Sequence, residues 1–406
     1  MLRIFNSVSS FFVGLMFLLI VASCQTEDDE PVIVNEYLVD YEEVASFSGQ
    51  ELRVLAAFTG FGQYQDLIEY GLTLYKLNYF TEFQGERVEA SGVVALPQGT
   101  EQFPLLLGAR GTITNNQRAP SNLNFSQNSS SGFELFASFG FFSVVPDYIG
   151  FGASSGLVHP YFDYASSARS SVDMLKATRE FLTEQEIAFS DNLFLTGYSQ
   201  GGYIAVATLK YLDENPGELP NTQVVATAAG AGGYNIRQTM EMILQETMYP
   251  APVNLAFLVY AYQQTNNWNR PLTDFFQEPF ASQIPSLFDG NNSTGFINTQ
   301  LPNTLNDLFQ PDFITNVRNG TESEFLAALE ENSVHGWAPQ TPLRLFHDIK
   351  DEVVPAEVSE STFEVMQQNG AAEVLYFPYD LAPTHQEAAQ PMYLQTIPWF
   401  NSLREF

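Results

Sequence analysis

LFLTGYSQGG, residues 193–202, decides the fold, because an apolar run passes directly into Gly-x-Ser-x-Gly. The run at 193–196 is typical of a buried parallel strand, and the apolar residues after Gly202 follow a helical spacing. A strand that turns at once into a helix around one serine holds that serine in a strained conformation, which is why glycine flanks it. The stretch therefore predicts an exposed nucleophile, Ser199, on a sharp strand-to-helix turn. The alternative is an ordinary tight turn with an exposed serine.

The remaining chain alternates between strand-like and helix-like segments. Residues 71–96 predict a β-hairpin with Gly85 in its turn, and residues 162–182 predict an amphipathic helix. Further segments predict strands at 103–108, 141–146, 192–196, 224–229, 343–347 and 373–378. An antiparallel opening followed by this alternation is typical of an α/β fold, with a mostly parallel sheet and helices on both faces.

Residues 236–336 interrupt this alternation between two predicted strands. A connection of this length exceeds ordinary loops, so it predicts a structured cap or lid inserted into a core formed by residues 41–235 and 337–406. The insertion is rich in Phe, Met and Leu, which would form its own small core. The alternative is that some of these side chains line an apolar groove for an acyl or aryl group, because the insertion leaves the carboxyl ends of the strands.

The N-terminal residues are typical of an export signal and are not expected to belong to the folded domain. Arg3 precedes the apolar run 11–21, which is too short for a comfortable membrane span. Residues 1–23 are therefore interpreted as a signal peptide. Cys24 follows the small residues Ala22 and Ser23 in an arrangement that resembles the lipobox of bacterial lipoproteins. This resemblance implies cleavage before Cys24 and its acylation, and a plain secretory signal is the alternative.

An acidic tether is expected to follow the acylated cysteine, over residues 24–40. Its run at 27–30, EDDE, resembles the signal by which Bacteroidota lipoproteins reach the outer surface, and a merely solvated tether is the alternative. The expected location is outside the cytoplasm, with the lipid anchor in the bacterial outer membrane.

Charge and cysteine content exclude several classes of function. The chain has 406 residues and a formal net charge of −31, so it lacks the basic surface needed to bind nucleic acid or anionic lipid. Cys24 is the only cysteine. Once it is acylated, no thiol remains for a disulfide, a metal site or a cysteine nucleophile. The sequence leaves the oligomeric state open.

A serine nucleophile needs a base and an acid that orients that base. His385 follows the last predicted strand, at the expected mouth of the sheet and the start of a final helix, and it is the predicted base. Asp351 lies on the turn after the preceding strand and is the predicted acid. Asp348 and Glu352, in the same segment, are its rivals. The alternative for His385 is a helix-capping or solvated histidine, and the alternative for each acid is an ordinary surface charge.

The oxyanion of the reaction needs two N–H donors that are fixed in advance. Gln200 follows the nucleophile at the helix N-terminus and is expected to supply one of them. Either Thr112 or Gly111, in the loop after the strand at 103–108, is expected to supply the other. A simple glycine turn is the alternative for that loop.

Several motifs in order resemble the α/β-hydrolases, and within them the secreted lipase and esterase group that includes fungal secretory lipases. The resemblance covers roughly residues 70–400. It rests on GARGT at 108–112, PDYIGFG at 146–152, HPY at 159–161, GYSQGG at 197–202, Asp351 with Val354-Pro355, and His385.

The resemblance implies hydrolysis of carboxylic esters without a metal or an organic cofactor. It also implies that Asp147 and Tyr148 shape the site rather than react. Relatives often have a His-Gly pair in the oxyanion loop, whereas this chain has Arg110-Gly111. This departure concerns the second oxyanion donor rather than the Ser, Asp and His set.

The leading functional hypothesis is a serine ester hydrolase that forms an acyl-enzyme on Ser199. A serine peptidase of the same fold and a non-catalytic surface binding protein are the alternatives, and the intact Ser, Asp and His set speaks against the latter. The expected substrate is a small-molecule or lipid ester. Apolar residues in the insertion favour lipid or aryl acyl groups, although they would equally form a cap core.

Overall fold

One sheet of nine strands organises the part of the chain that the structure describes. The computed structural model describes residues 35–58, 61–123, 131–266 and 268–404. Along the sheet the strand order is β1-β2-β3-β5-β4-β6-β7-β8-β9. The strands are β1 (Leu38–Phe47), β2 (Leu72–Phe83), β3 (Glu86–Pro97), β4 (Leu105–Ala109), β5 (Phe142–Pro146), β6 (Asn192–Tyr198), β7 (Gln223–Gly230), β8 (Leu343–Asp348) and β9 (Val374–Tyr379).

The sheet is antiparallel at one end and parallel over the rest. Strands β1, β2, β3 and β5 pair antiparallel to one another in that order. Strands β5, β4, β6, β7, β8 and β9 form a continuous parallel series. This confirms the predicted mostly parallel α/β sheet, including the hairpin, whose turn is Gln84-Gly85 with φ of 53° and 80°.

Twelve α-helices surround the sheet in the described residues. They are α1 (Gly49–Phe58), α2 (Tyr164–Glu184), α3 (Gln200–Glu214), α4 (Ile236–Ile243), α5 (Pro252–Thr265), α6 (Phe280–Leu287), α7 (Thr294–Gln300), α8 (Leu305–Leu308), α9 (Pro311–Arg318), α10 (Ser323–Glu331), α11 (Ala356–Gln368) and α12 (Ala389–Leu403).

Alternating side chains of the central strands explain why helices cover both faces. On β6, Leu193 and Leu195 pack into the apolar cluster formed with α2 and α3. Phe194, between them, packs into the opposite cluster with residues of α1 and α12. All three side chains are fully buried. A strand buried on both faces reads as a continuous apolar run, which is what the sequence before Ser199 shows.

Helices α4 to α10 lie between the neighbouring strands β7 and β8. Their apolar residues form one cluster with parts of α3, β7 and β8. The two ends of this segment are tied together, because the Val334 N–H donates to the Tyr234 carbonyl over 2.7 Å. No helix within the described ranges is both long and apolar enough to cross a bilayer.

The expected tether at 24–40 is wrong at its C-terminal end. Strand β1 begins at Leu38, and the backbone N–H groups of Glu36, Tyr37 and Leu38 all donate to the Glu180 carboxylate. These residues are ordered because the Glu180 carboxylate on α2 accepts hydrogen bonds from three consecutive backbone N–H groups. The predicted signal peptide, Cys24 and the run at 27–30 lie outside the described residues.

Candidate active site

Ser199 lies on a strained turn between β6 and α3. Its φ of 60° and ψ of −126° are unfavourable for a residue with a side chain. The glycines on either side permit this turn, because a Cβ at Gly197 would collide with the Gly201 carbonyl and a Cβ at Gly201 with the Ala109 carbonyl. The Ser199 N–H donates to the Gly230 carbonyl over 2.9 Å, which ties the turn to β7.

His385 and Asp351 meet beside this turn. The Nδ1 atom of His385 lies 2.6 Å from Oδ2 of Asp351, and both side chains are almost fully buried. Because an ionised carboxylate only accepts hydrogen bonds, Nδ1 carries a proton, and in the neutral form of the ring Nε2 carries the lone pair. Within the described residues Nε2 is buried without a hydrogen-bond partner. The Tyr198 ring lies 5.2 Å from the imidazole, between centroids, and restricts its position.

Asp351 is held as a carboxylate by its surroundings. Its Oδ1 accepts the N–H groups of Val353 and Val354 over 2.8 and 2.9 Å. Burial by itself raises the pKa of this carboxyl, but hydrogen bonds from His347 and His385 outweigh burial and hold the pKa well below its usual range. The side chain is therefore charged wherever the protein is folded at neutral pH.

His347 is a second buried imidazole at the same carboxylate. Its Nε2 lies 3.0 Å from the Val354 carbonyl and 3.3 Å from Oδ2 of Asp351. Its Nδ1 lies 2.6 Å from Oγ of Ser359 on α11. His347 thus links β8, the turn that carries Asp351 and α11.

The two rival acids hold the backbone of the His385 loop instead of its ring. Oδ2 of Asp348 accepts the N–H groups of Leu381 and Ala382 over 2.9 and 3.0 Å. Both carboxylate oxygens of Glu352 lie within reach of the His385 N–H, at 3.2 and 2.9 Å. The geometry brings Asp351, rather than either rival, to the imidazole.

Gln200 connects the nucleophile turn to a further buried histidine. Its side-chain Nε2 lies 2.8 Å from Nε2 of His159, whose Nδ1 lies 2.7 Å from the Ile149 carbonyl. Nδ1 therefore donates to the carbonyl and Nε2 accepts from the amide. Burial, followed by the nearby Arg110 cation, lowers the pKa of His159 to about 3. The imidazole is neutral in the folded protein.

This neutral histidine predicts a loss of stability in mild acid. The unfolded chain binds a proton at His159 below about pH 6.5, whereas the folded chain does not until near its own lower pKa, so stability falls as pH falls through this window. We expect replacement of His159 by Gln to lower stability near neutral pH, because two buried hydrogen bonds are disturbed, and to flatten the pH dependence. The slope should decrease by up to about 1.4 kcal/mol per pH unit.

Urea unfolding of the wild type and His159→Gln, near pH 7 and near pH 5, measures this directly. Groups common to both proteins, including His335, whose pKa burial also lowers, cancel in the difference. Equal slopes in the two proteins would contradict the assignment.

Two cavities meet at Ser199. The larger, ≈ 680 Å³, is lined by Ser199, His385 and the loop at Arg110-Gly111-Thr112, and it extends along aromatic side chains. These aromatic residues are Phe61, Tyr64, Phe133, Phe136, Phe139 and Tyr393. The smaller, ≈ 50 Å³, is mostly apolar and lies against α4 and α5. In the ranges the structure describes, no group of three or more His, Cys, Asp or Glu residues is arranged to hold a metal ion.

The secretory lipase family matches residues 134–402, which include the nucleophile turn, Asp351 and His385. The chain belongs to the secretory lipase family. No curated protein sequence matches it. Among solved structures, lpg1103 of Legionella pneumophila is 27% identical, with a TM-score of 0.81 and coverage of 91% of this chain and 98% of that one.

Two further structures share the fold. The rice cell wall degrading esterase LipA of Xanthomonas oryzae is 24% identical, with a TM-score of 0.78 over 91% of this chain and 97% of that one. Lipase A of Candida antarctica is 15% identical, with a TM-score of 0.64 over 88% of this chain and 79% of that one. The present protein, as a member of the secretory lipase family, is an α/β-hydrolase and a carboxylic-ester hydrolase.

The sequence did not predict the roles that the structure gives to two residues at the site, His347 and Asp348. His347 was visible only as the end of a strand, and Asp348 only as a rival acid. The expectation that His385 starts the final helix is wrong, because α12 begins at Ala389 and His385 lies in the preceding loop. A histidine four residues before the predicted acid was the available signal for His347.

Proposed function

We propose that this secretory lipase hydrolyses esters through an acyl-enzyme on Ser199, with His385 as base and Asp351 as the acid that orients it. One observation carries the proposal: the imidazole is held by Asp351 at 2.6 Å, its buried Nε2 is unpartnered in the described residues, and His385 lines the same cavity as Ser199. No hydrogen bond joins Nε2 to the serine hydroxyl here. Such bonds are often long before substrate binds.

The reaction proceeds in two half-steps with balanced protons. Oγ of Ser199 attacks the ester carbonyl as its proton passes to Nε2 of His385, and the carbonyl oxygen becomes an oxyanion. Collapse breaks the bond to the alcohol, which leaves with the proton from His385. Water then attacks the acyl-enzyme, gives a proton to His385, and the carboxylic acid leaves as that proton returns to Ser199.

Asp351 acts through charge and orientation. The imidazolium that forms in each half-step lies against a carboxylate that remains ionised, which stabilises the positive charge. Because Asp351 is itself fixed by two backbone N–H groups and by His347, it cannot turn away when the ring becomes charged.

A fluorophosphonate probe tests the nucleophile. We expect the probe to label Ser199 with a stoichiometry of about one per chain, identified by peptide mass. Comparison of p-nitrophenyl esters with aminoacyl anilides then separates ester from amide hydrolysis. An unlabelled serine in folded protein would favour a non-catalytic binding function.

Membrane attachment through Cys24 is a further part of this proposal. It is supported by the sequence at 21–24, VASC, after the apolar run. We expect the wild type to begin at an acylated Cys24 and to partition with membranes, and Cys24→Ser to be released or left unprocessed. Detergent-phase partitioning and the N-terminal peptide mass measure this. A soluble wild type with an unmodified N-terminus would contradict the anchor.

A further inference from the structure

The loop after β4 places two backbone N–H groups beside the cavity. Gly111 and Thr112 both line it together with Ser199. A Cβ at Gly111 would stand 3.9 Å from Cβ of Ser199, so this peptide lies directly beside the nucleophile. Within the residues that the structure describes, neither N–H donates to a backbone acceptor. Both donors are therefore available to a group bound at Ser199.

Each of these two N–H groups belongs to a peptide group whose carbonyl oxygen already accepts a hydrogen bond. Oη of Tyr148 donates to the Arg110 carbonyl over 3.0 Å, and Nη1 of Arg110 donates to the Gly111 carbonyl over 3.0 Å. In a planar trans peptide, the carbonyl of one residue and the N–H of the next point in opposite directions. Holding the Arg110 carbonyl fixes the Gly111 N–H, and holding the Gly111 carbonyl fixes the Thr112 N–H.

Tyr148 and Arg110 are themselves held rigidly. Tyr148 has a φ of 69°, an outlier for an aromatic residue, and it is buried. Outliers of this kind persist where the surroundings enforce them and are concentrated at functional sites. The Arg110 guanidinium lies 4.4 Å from the centre of the Tyr148 ring and 4.9 Å from that of Phe151, and its Nη2 donates to the Asp147 carbonyl.

The charge of Arg110 persists in this buried position. Burial lowers the pKa of its guanidinium to about 10, so the side chain is still a cation at neutral pH and keeps its donors.

We propose that Tyr148 and Arg110 are positioning residues that aim the N–H groups of Gly111 and Thr112 at the oxyanion. Together with the N–H of Gln200 at the start of α3, these donors form the oxyanion hole. The proposal rests on the acyl-enzyme mechanism at Ser199. Donors that are fixed before reaction stabilise the transition state most, because no reorganisation is needed as charge develops.

Tyr148→Phe tests the first half of this arrangement. It keeps the ring beneath Arg110 and removes only the hydroxyl that holds the Arg110 carbonyl. Tyr79→Phe is the matched control, because Tyr79 is a buried tyrosine whose hydroxyl also donates to a backbone carbonyl, that of Ser170, over 3.0 Å. The kinetic constants for p-nitrophenyl butyrate and the Ki of an alkyl trifluoromethyl ketone are measured for each protein.

The ketone reports on the oxyanion because Ser199 adds to it and forms a hemiketal oxygen in the same place. We expect Tyr148→Phe to lower kcat by about 10- to 100-fold with little change in KM, and to weaken ketone inhibition by a similar factor. Tyr79→Phe should alter neither quantity by more than about threefold. A merely structural role would lower stability in both variants without a parallel change in kcat and Ki.

Two outcomes overturn the positioning role. One is a Tyr148→Phe enzyme whose kcat matches that of Tyr79→Phe, and the other is a fall in kcat with unchanged ketone affinity. End-point fluorophosphonate labelling of wild-type Ser199 separates this failure from that of the mechanism itself, since absent labelling would refute the acyl-enzyme. If Tyr148→Phe does not fold, Arg110→Lys tests the second carbonyl contact with the same measurements and the same expected directions.

Discussion

Replacement of Ser199 by Ala is expected to abolish ester hydrolysis, with a loss on the order of a million-fold in kcat. The hydroxyl oxygen is the only atom removed, and it is the atom that bonds to the acyl group. Folding should be retained, because alanine keeps the Cβ that the turn at φ 60° already accommodates and the Ser199 N–H still donates to Gly230. Turnover of p-nitrophenyl butyrate and thermal unfolding measure both expectations on one preparation.

A serine on α6 provides the control for this experiment. Ser286 is exposed, and its hydroxyl only bonds the Gln283 carbonyl of its own helix. Ser286→Ala should retain turnover within about twofold, since surface substitutions of this kind have small effects. Near-normal turnover by a folded Ser199→Ala protein would remove the nucleophile from Ser199 and, with it, the acyl-enzyme proposal.

The central parallel strands could be predicted because they are buried on both faces. Residues 193–196 are apolar except for Thr196, residues 343–347 are apolar except for Arg344 and His347, and the structure has strands at both places. Because the buried strand before Ser199 is apolar, the sequence changes sharply where the strand ends and the Gly-x-Ser-x-Gly turn begins. Local pattern and tertiary environment agree in these segments, so the pattern was sufficient.

The antiparallel edge could not be predicted in the same way. Strand β1 reads LVDYEEVASF, and only its first residue is buried. An edge strand with carboxylates and one solvated face lacks the apolar alternation that indicates a strand. Its pairing with β2 is a long-range contact, and nothing in the local sequence specifies it.

In the candidate site too, some residues could be predicted from the local sequence and others depend on long-range contacts. Ser199, Asp351 and His385 follow strands in an order that the sequence displays, and the structure brings the latter two into contact. The contacts of His347, Asp348 and His159 depend on loop paths across tens of residues. Residue types alone could not reveal that Asp348 binds the backbone of the His385 loop.

Replacement of Asp351 by Asn is expected to lower kcat by about ten-thousand-fold, by analogy with other serine triads. An asparagine whose oxygen still accepts from Val353 and Val354 must turn its NH2 toward Nδ1 of His385. Nδ1 then accepts instead of donating, so the proton moves to Nε2, where the lone pair is needed to activate Ser199. The variant should fold and should bind substrate with little change in KM.

Asp348→Asn is the matched comparison, because it makes the same chemical change three residues away. Because asparagine keeps only one oxygen, either the N–H of Lys350 or the N–H groups of Leu381 and Ala382 lose their acceptor. This loosens the loop without altering the tautomer of His385. We expect a loss in kcat of about tenfold, together with a lower melting temperature, since a buried donor is left without its partner. Measurement of both variants on one ester decides between the two carboxylates. A large loss in Asp348→Asn with a mild loss in Asp351→Asn would transfer the role of the acid to Asp348.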